Sequence, residues 1–214
     1  MKRIVVVCAG GQGAIVADIL QRAHEAGSDA LPIGFVDDTP GVVGTAVLGL
    51  DVLAPIASLK DIAHDAVIVA LGDNRARRAI TERLLAAGER LATAIHPRAS
   101  IAPSASIGEG SMISAGATVT PRAVIGRGVI INTNASVDHD SVVEDFAHVS
   151  AGAVVGAHNR IGTEALIALG ATVVSTMTVG ARTIVGAGAV VLTDIPDDVV
   201  AFGVPARIRP DRKP

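Results

Sequence analysis

From residue 101 onward the chain places Ile or Val at every sixth position without a slip, from Ile101, Ile107, Ile113 and Val119 through to Val179, Val185 and Val191. Two residues before most of these anchors stands a small side chain, as at Ala99, Ala105, Ser111, Ala117, Ala123, Ala135 and Ser141. One residue after the anchor, Gly recurs at 108, 126, 156, 162, 180 and 186. A period of six does not fit the 3.6 spacing of a helix and is too short for a helical repeat. It fits short extended segments that each turn a corner and point one branched aliphatic inward. The small residue then sits where the chain bends, and Gly relieves the backbone there. Three segments close one coil of about 18 residues, and coils stacked at ~4.8 Å give a prism roughly 25 Å long. The pattern predicts a parallel β-helix.

Residues 1–95 follow a different rule. Ile4-Val5-Val6-Val7 is an apolar strand run, followed by Ala9-Gly10-Gly11-Gln12-Gly13 and a helical stretch over 14–26 closed by Gly27. Ile33 to Val36 reads as a second strand ending in Asp37-Asp38. Residues 66–71 read as a third, ending in Gly72-Asp73-Asn74 before a helix over 75–87 closed by Gly88. This alternation predicts a small Rossmann-like α/β domain with a parallel sheet and ligand groups at the carboxyl ends of its strands. Two domains are therefore expected, at 1–95 and 96–214.

Composition narrows the function. The 214 residues include three Phe and no Trp or Tyr, while half are hydrophobic and 23 are Gly. A narrow prism filled by Ile, Val and Ala accounts for the missing aromatics, and their absence argues against a base-stacking surface for single-stranded nucleic acid. A net charge of −3 removes the electrostatic reason for a nucleic-acid or anionic-membrane partner. Arg207, Arg209, Arg212 and Lys213 form only a light basic tail. The single Cys8 cannot make an internal disulfide, and the apolar run at 4–9 is too short to span a membrane. A cytoplasmic protein is expected.

The glycine loop departs from a dinucleotide fingerprint because Val16 occupies the third small position of Gly11-x-Gly13-x-x-Val16. With so short a domain, a nicotinamide site is disfavoured. Phosphate at the helix start and hydroxyls at Asp37 or Asp38 fit better. In the repeat region, the slot that prefers Gly instead holds Asn132, Asp138 and Glu144 in three consecutive hexads, with His139, Asp140, His148 and His158 close by. Such a polar interruption marks a functional region.

These motifs occur in a fixed order: Ala9-Gly10-Gly11-Gln12-Gly13, Gly34-Phe35-Val36-Asp37-Asp38, Leu71-Gly72-Asp73-Asn74, Ile95-His96-Pro97, Ile131-Asn132-Thr133, Val137-Asp138-His139-Asp140 and Gly203-Val204-Pro205-Ala206. In that order the chain resembles the hexapeptide-repeat sugar acetyltransferases of the sialic-acid O-acetyltransferase type. That family includes enzymes that N-acetylate nucleotide-linked 4-amino-4,6-dideoxy sugars. The resemblance implies a left-handed β-helix, a homotrimer, a nucleotide-sugar acceptor and acetyl-CoA as the donor, with no metal.

By the same resemblance His139 is the general base and Asp140 the carboxylate that orients it. An imidazole, with an ordinary pKa of about 6.5, suits proton removal at neutral pH. Neighbouring residues on a strand point to opposite sides, so the pair can meet only at a corner. His148, Leu169 and Ala187 fall on acetyl-CoA contact positions. Gly10, Gly11, Gln12, Asp37, Asp38 and Gly72 fall on nucleotide-sugar positions, and Asn132 is placed to orient the acceptor. Gln12 stands where the family usually has a histidine.

His24, His64, His96 and His158 are expected to be surface or packing residues. The spacings among His139, His148 and His158 are expected to keep them off a common face, which disfavours a zinc site. Two other functions stay open. One is O-acetylation of a sugar hydroxyl. The other is a non-catalytic nucleotide-sugar-binding scaffold, which leaves the polar interruption unexplained.

Overall fold

The computed structural model describes all residues from Met1 to Pro214 and divides into two compact units, Met1–Pro97 and Arg98–Pro214.

In the first unit, β1 (Lys2–Val7) leads into α1 (Gly11–Glu25) and then β2 (Ala30–Val36). A hairpin of β3 (Ala46–Val47) and β4 (Leu50–Ala54) follows, then a 3-10 turn at Ile56–Asp61, β5 (Ala66–Val69) and α2 (Asn74–Ala86). The sheet order is β3-β4-β2-β1-β5, parallel except for the β3–β4 hairpin. Val5 and Val7 of the central strand are fully buried and pack with Val36, Val67 and Val69. Burial of each such side chain contributes about 2 kcal/mol.

Two features differ from the sequence expectation. The hairpin at 46–54 stands in a segment that showed no clear strand pattern. Helix α1 begins at Gly11 rather than after the glycine loop, so Gly11 and Gly13 belong to its first turn. Gly13 is required there, because a Cβ would lie 2.2 Å from the Cys8 carbonyl oxygen.

The second unit is a left-handed parallel β-helix. Every anchor from Ile101 to Val191 is the second residue of a two-residue strand, such as Ser136–Val137 or His148–Val149. Each strand pairs in parallel with the strand 18 residues away, so three sheets form the three faces. The anchors and the small residues two before them line the axis. Val137, Val143 and Val149 are fully buried, as are Ala135, Ser141 and Ala147.

The corners correct the reading of the glycines. From the anchor Ile107 to Val185 the left-handed backbone conformation falls three residues after the anchor, at Gly116, Gly152 and Gly170, and at non-glycine residues such as Arg122, Asp140, His158 and Thr176. The Gly directly after the anchor has a different task. At Gly162 a Cβ would lie 2.5 Å from the Ala181 amide nitrogen of the next coil. At that position glycine permits close approach between coils, although Glu144 stands in the same column one coil earlier.

Candidate active site

Consecutive hexads occupy successive corners, so the polar interruption seen in sequence divides among three of them. Asn132 begins one corner, Asp138 the next and Glu144 the third. Glu144 pairs with Arg160 and accepts hydrogen bonds from the Thr163 amide and hydroxyl at 3.0 and 2.9 Å. Asp138 accepts from the His139 amide at 2.7 Å and from the Thr120 hydroxyl at 3.0 Å. The His139 amide holds the Asp138 carboxyl below its ordinary range. Asp138 and Glu144 thus tie turns together.

The corner bearing His139 is built from three stacked turns. Its left-handed positions carry Arg122, Asp140 and His158, each 18 residues after the last, with φ values of 62°, 59° and 56°. A β-carbon in this region costs on the order of 1 kcal/mol per residue, and glycine relieves that cost at several other corners. The sharp turn at Asp140 solves the problem of strand alternation. His139 Nδ1 lies 2.8 Å from Asp140 Oδ2 although the two are neighbours in sequence.

Arg122 grips Asp140 from the preceding coil, donating from Nε to Oδ1 and from Nη2 to Oδ2, both at 2.6 Å. This paired hydrogen bond, with that from His139 second, holds the Asp140 carboxyl well below the usual carboxylate range. Behind the turns, buried Ser141 donates to the Gly156 carbonyl at 2.8 Å and accepts from the Asn159 amide at 3.0 Å. Asn159 in turn accepts from the Met177 amide at 2.6 Å.

His158 is exposed, as expected of a surface residue, but it does not lie away from His139. The 19-residue separation is one coil plus one position, so the two rings meet edge to face with centroids 5.2 Å apart. His158 Nε2 lies 3.9 Å from Asp140 Oδ2. His139, Asp140 and His158 bring ligand-type atoms within 4.8 Å of one another, while both Asp140 oxygens are already engaged by Arg122. Arg122 escaped the sequence reading as well. Wrapping the sequence at 18 residues aligns Arg122, Asp140 and His158 in one column, and that alignment is the signal that finds them.

Asn132 and His148 meet at the adjacent corner, with Asn132 Nδ2 3.3 Å from His148 Nε2. Asn132 Oδ1 accepts from the Thr133 amide at 2.7 Å. Leu169 and Ala187 lie along the same corner, one coil apart, and both are exposed. One prism therefore gathers Asn132, His148, Leu169 and Ala187 at one corner and His139 with Asp140 at the next. A whole face, carrying Ser136–Val137, separates them.

In the first unit, Gly10, Gly11, Asp37, Asp38 and Gly72 all lie at or just beyond the carboxyl ends of β1, β2 and β5. Gln12 stands in the first turn of α1. No side chain caps that helix, and a helix start suits an anionic group. At Gly10, Gly11 and Gly72 a Cβ would meet nothing within 4 Å, so the protein's own packing does not require these glycines. Asp37 braces the loop from below by accepting from the Ala9 amide. Asp38 Oδ1 accepts from the Ile56 amide at 2.8 Å, and Asp38 borders a cavity of about 320 Å³ walled in part by Lys60 and Arg83.

Residues 3–84 match the PglD N-terminal domain family. Across both units the fold matches a mutant of perosamine N-acetyltransferase from Caulobacter crescentus in complex with CoA and GDP-perosamine. That match has 34% identity, covers 98% of this chain and 97% of the other, and has a TM-score of 0.90. PerB from Caulobacter crescentus, in complex with the same two ligands, matches at 35% identity, 98% of each chain and a TM-score of 0.89. The acetyltransferase domain of PglB from Neisseria gonorrhoeae FA1090, in complex with acetyl coenzyme A, matches at 37% identity. There 97% of this chain and 99% of that one are covered, with a TM-score of 0.89. No curated protein sequence matches the chain. No helix is long and apolar enough to cross a membrane.

Proposed function

The chain belongs to the hexapeptide-repeat sugar acetyltransferases with a PglD-type N-terminal domain, and we propose that it transfers the acetyl group of acetyl-CoA to the 4-amino group of a nucleotide-linked amino-deoxy sugar. The observation that carries the mechanism is the His139–Asp140 pair at a corner of the prism. Asp140 is ionised, so the proton between the two belongs to Nδ1 of His139. That tautomer leaves Nε2, which makes no hydrogen bond within the chain, as the proton acceptor.

His139 Nε2 removes the proton of the sugar amine as the nitrogen attacks the thioester carbonyl. Collapse of the tetrahedral intermediate breaks the carbon–sulfur bond, and the imidazolium returns its proton to the departing thiolate. Asp140 keeps the ring oriented and balances its charge. His148, Leu169 and Ala187 contact the donor, and Asn132 orients the acceptor. Gly10, Gly11, Gln12, Asp37, Asp38 and Gly72 form the nucleotide-sugar site, with Asp37 acting through the loop that it braces.

The working enzyme is a homotrimer in the cytoplasm. The separation of His139 from the Leu169 and Ala187 corner supports the trimer, since a neighbouring prism can present the missing corner across a shared groove. Thiol release from acetyl-CoA in the presence of nucleotide-linked 4-amino sugars tests the activity. A product whose acetyl group sits on a hydroxyl would overturn N-transfer. His139→Asn is expected to lower turnover by roughly 10²–10⁴, and wild-type-like turnover in that variant would remove the assigned base.

A further inference from the structure

We propose that Arg122 is a positioning residue for the catalytic base, fixing the plane of Asp140 and through it the orientation and tautomer of His139. The proposal rests on the assignment of His139 as the base. Each oxygen of Asp140 takes one hydrogen bond from the Arg122 guanidinium, and Oδ2 also takes the one from His139 Nδ1. A planar guanidinium bound at two points fixes the plane of the carboxylate, and so the direction from which Nδ1 must approach. A lysine could supply the charge but not the plane.

The geometry has an electrostatic consequence. A lone carboxylate beside an imidazole favours the protonated ring and makes the base stronger. Here the guanidinium offsets part of that charge from the opposite side while it holds the carboxylate in place. The charged and titratable groups facing the pair are Arg122 from the preceding coil, Asp138 in the same turn and His158 from the following coil, whose Nε2 lies 3.9 Å from the same Oδ2.

Arg122 is well suited to this task because its side chain is 64% exposed and carries no core packing. Its alteration therefore tests orientation more than folding. Arg122→Ala is expected to lower kcat/KM by up to about a hundredfold, with the KM for acetyl-CoA unchanged. Arg122→Lys should lose rate as well, since it restores charge without the paired hydrogen bond.

A readout independent of turnover comes from ¹⁵N shifts of the His139 ring. The neutral ring should be protonated at Nδ1 in the wild type and should gain the other tautomer in Arg122→Ala. Wild-type kcat/KM and tautomer in a folded Arg122→Ala protein would overturn the proposal. If Arg122→Ala does not fold, Arg122→Lys decides: wild-type rate and tautomer there overturn it equally. Full activity in His139→Asn would instead refute the underlying assignment of the base, whatever Arg122 does.

Discussion

Asp37 Oδ2 accepts the amide of Ala9 at 2.7 Å across 28 residues of sequence, and Oδ1 accepts the amide of Thr39 at the same distance. Burial alone raises this carboxyl's pKa, but the bonds from Ala9 and Thr39 outweigh it and leave a net lowering. The glycine loop after β1 is thus held by an acid at the end of the neighbouring strand.

Asp37→Ala should destabilise the first unit by about 2 kcal/mol at neutral pH, the scale for hydrogen bonds to a charged group. Because the folded-state pKa is lowered, the stabilisation is complete above the ordinary carboxylate pKa of about 4 and is lost as pH falls through the folded value. Urea unfolding of wild type and variant at pH 7 and pH 3 checks this: the difference should be smaller at the second than at the first.

Asp140→Asn should lower kcat by at least roughly a hundredfold. An amide no longer compels the proton to stay on Nδ1, and Arg122 loses one of its two acceptors and the opposing charge. The KM for the nucleotide-sugar should stay near wild type, because Asp140 belongs to the prism. Steady-state kinetics with each substrate varied in turn measures both. In the wild type, Asp140 stays ionised through mild acid, so the acid limb of the profile should show a single protonation.

Two glycine substitutions separate close approach from backbone conformation. Gly162→Ala drives a Cβ to 2.5 Å from the Ala181 amide nitrogen of the next coil and should cost about 1–3 kcal/mol. At Gly152, with φ of 68°, a Cβ meets nothing within 4 Å, so Gly152→Ala should cost about 1 kcal/mol from the left-handed backbone alone. Denaturant titration of the two variants ranks them.

Leu169 is 61% exposed on the corner assigned to the donor. Leu169→Glu should raise the KM for acetyl-CoA about tenfold, the equivalent of roughly 1.4 kcal/mol, and leave folding and the sugar KM unchanged. Sedimentation equilibrium should give three times the chain mass of 21.5 kDa for both proteins. A monomer with full activity would contradict a donor groove shared between prisms.

The prism was legible residue by residue because its geometry admits one inward branched aliphatic per face. Ile101 through Val191 therefore announced every two-residue strand from Ser100–Ile101 to Val190–Val191. The β3–β4 hairpin was not legible, since Ala46-Val47-Leu48-Gly49-Leu50 lacks the polar alternation of a half-buried strand. The start of α1 was misjudged because glycine reads as loop, while Gly13 is inside the helix for contact with Cys8. His139 and Asp140 stood out in linear sequence as a polar break. Arg122 did not, and His158 was noted near the break but not against Asp140, because their nearness to Asp140 exists only after the chain has turned through one full coil in each direction.

Coils in this unit are bonded to those one turn away, as when Ser136 donates to Ala153 and Val154 donates to Ala171. The axis therefore has translational repetition, and a whole coil can be duplicated or lost without changing the cross-section. The segment from Thr120 to Asn159 is exempt from that freedom. A coil inserted there would part Arg122 from Asp140, or Asp140 from His158, by a further ~4.8 Å. Growth and shortening of the prism are thereby confined to its other coils, so its length can drift in evolution while the machinery that moves the proton keeps one fixed address.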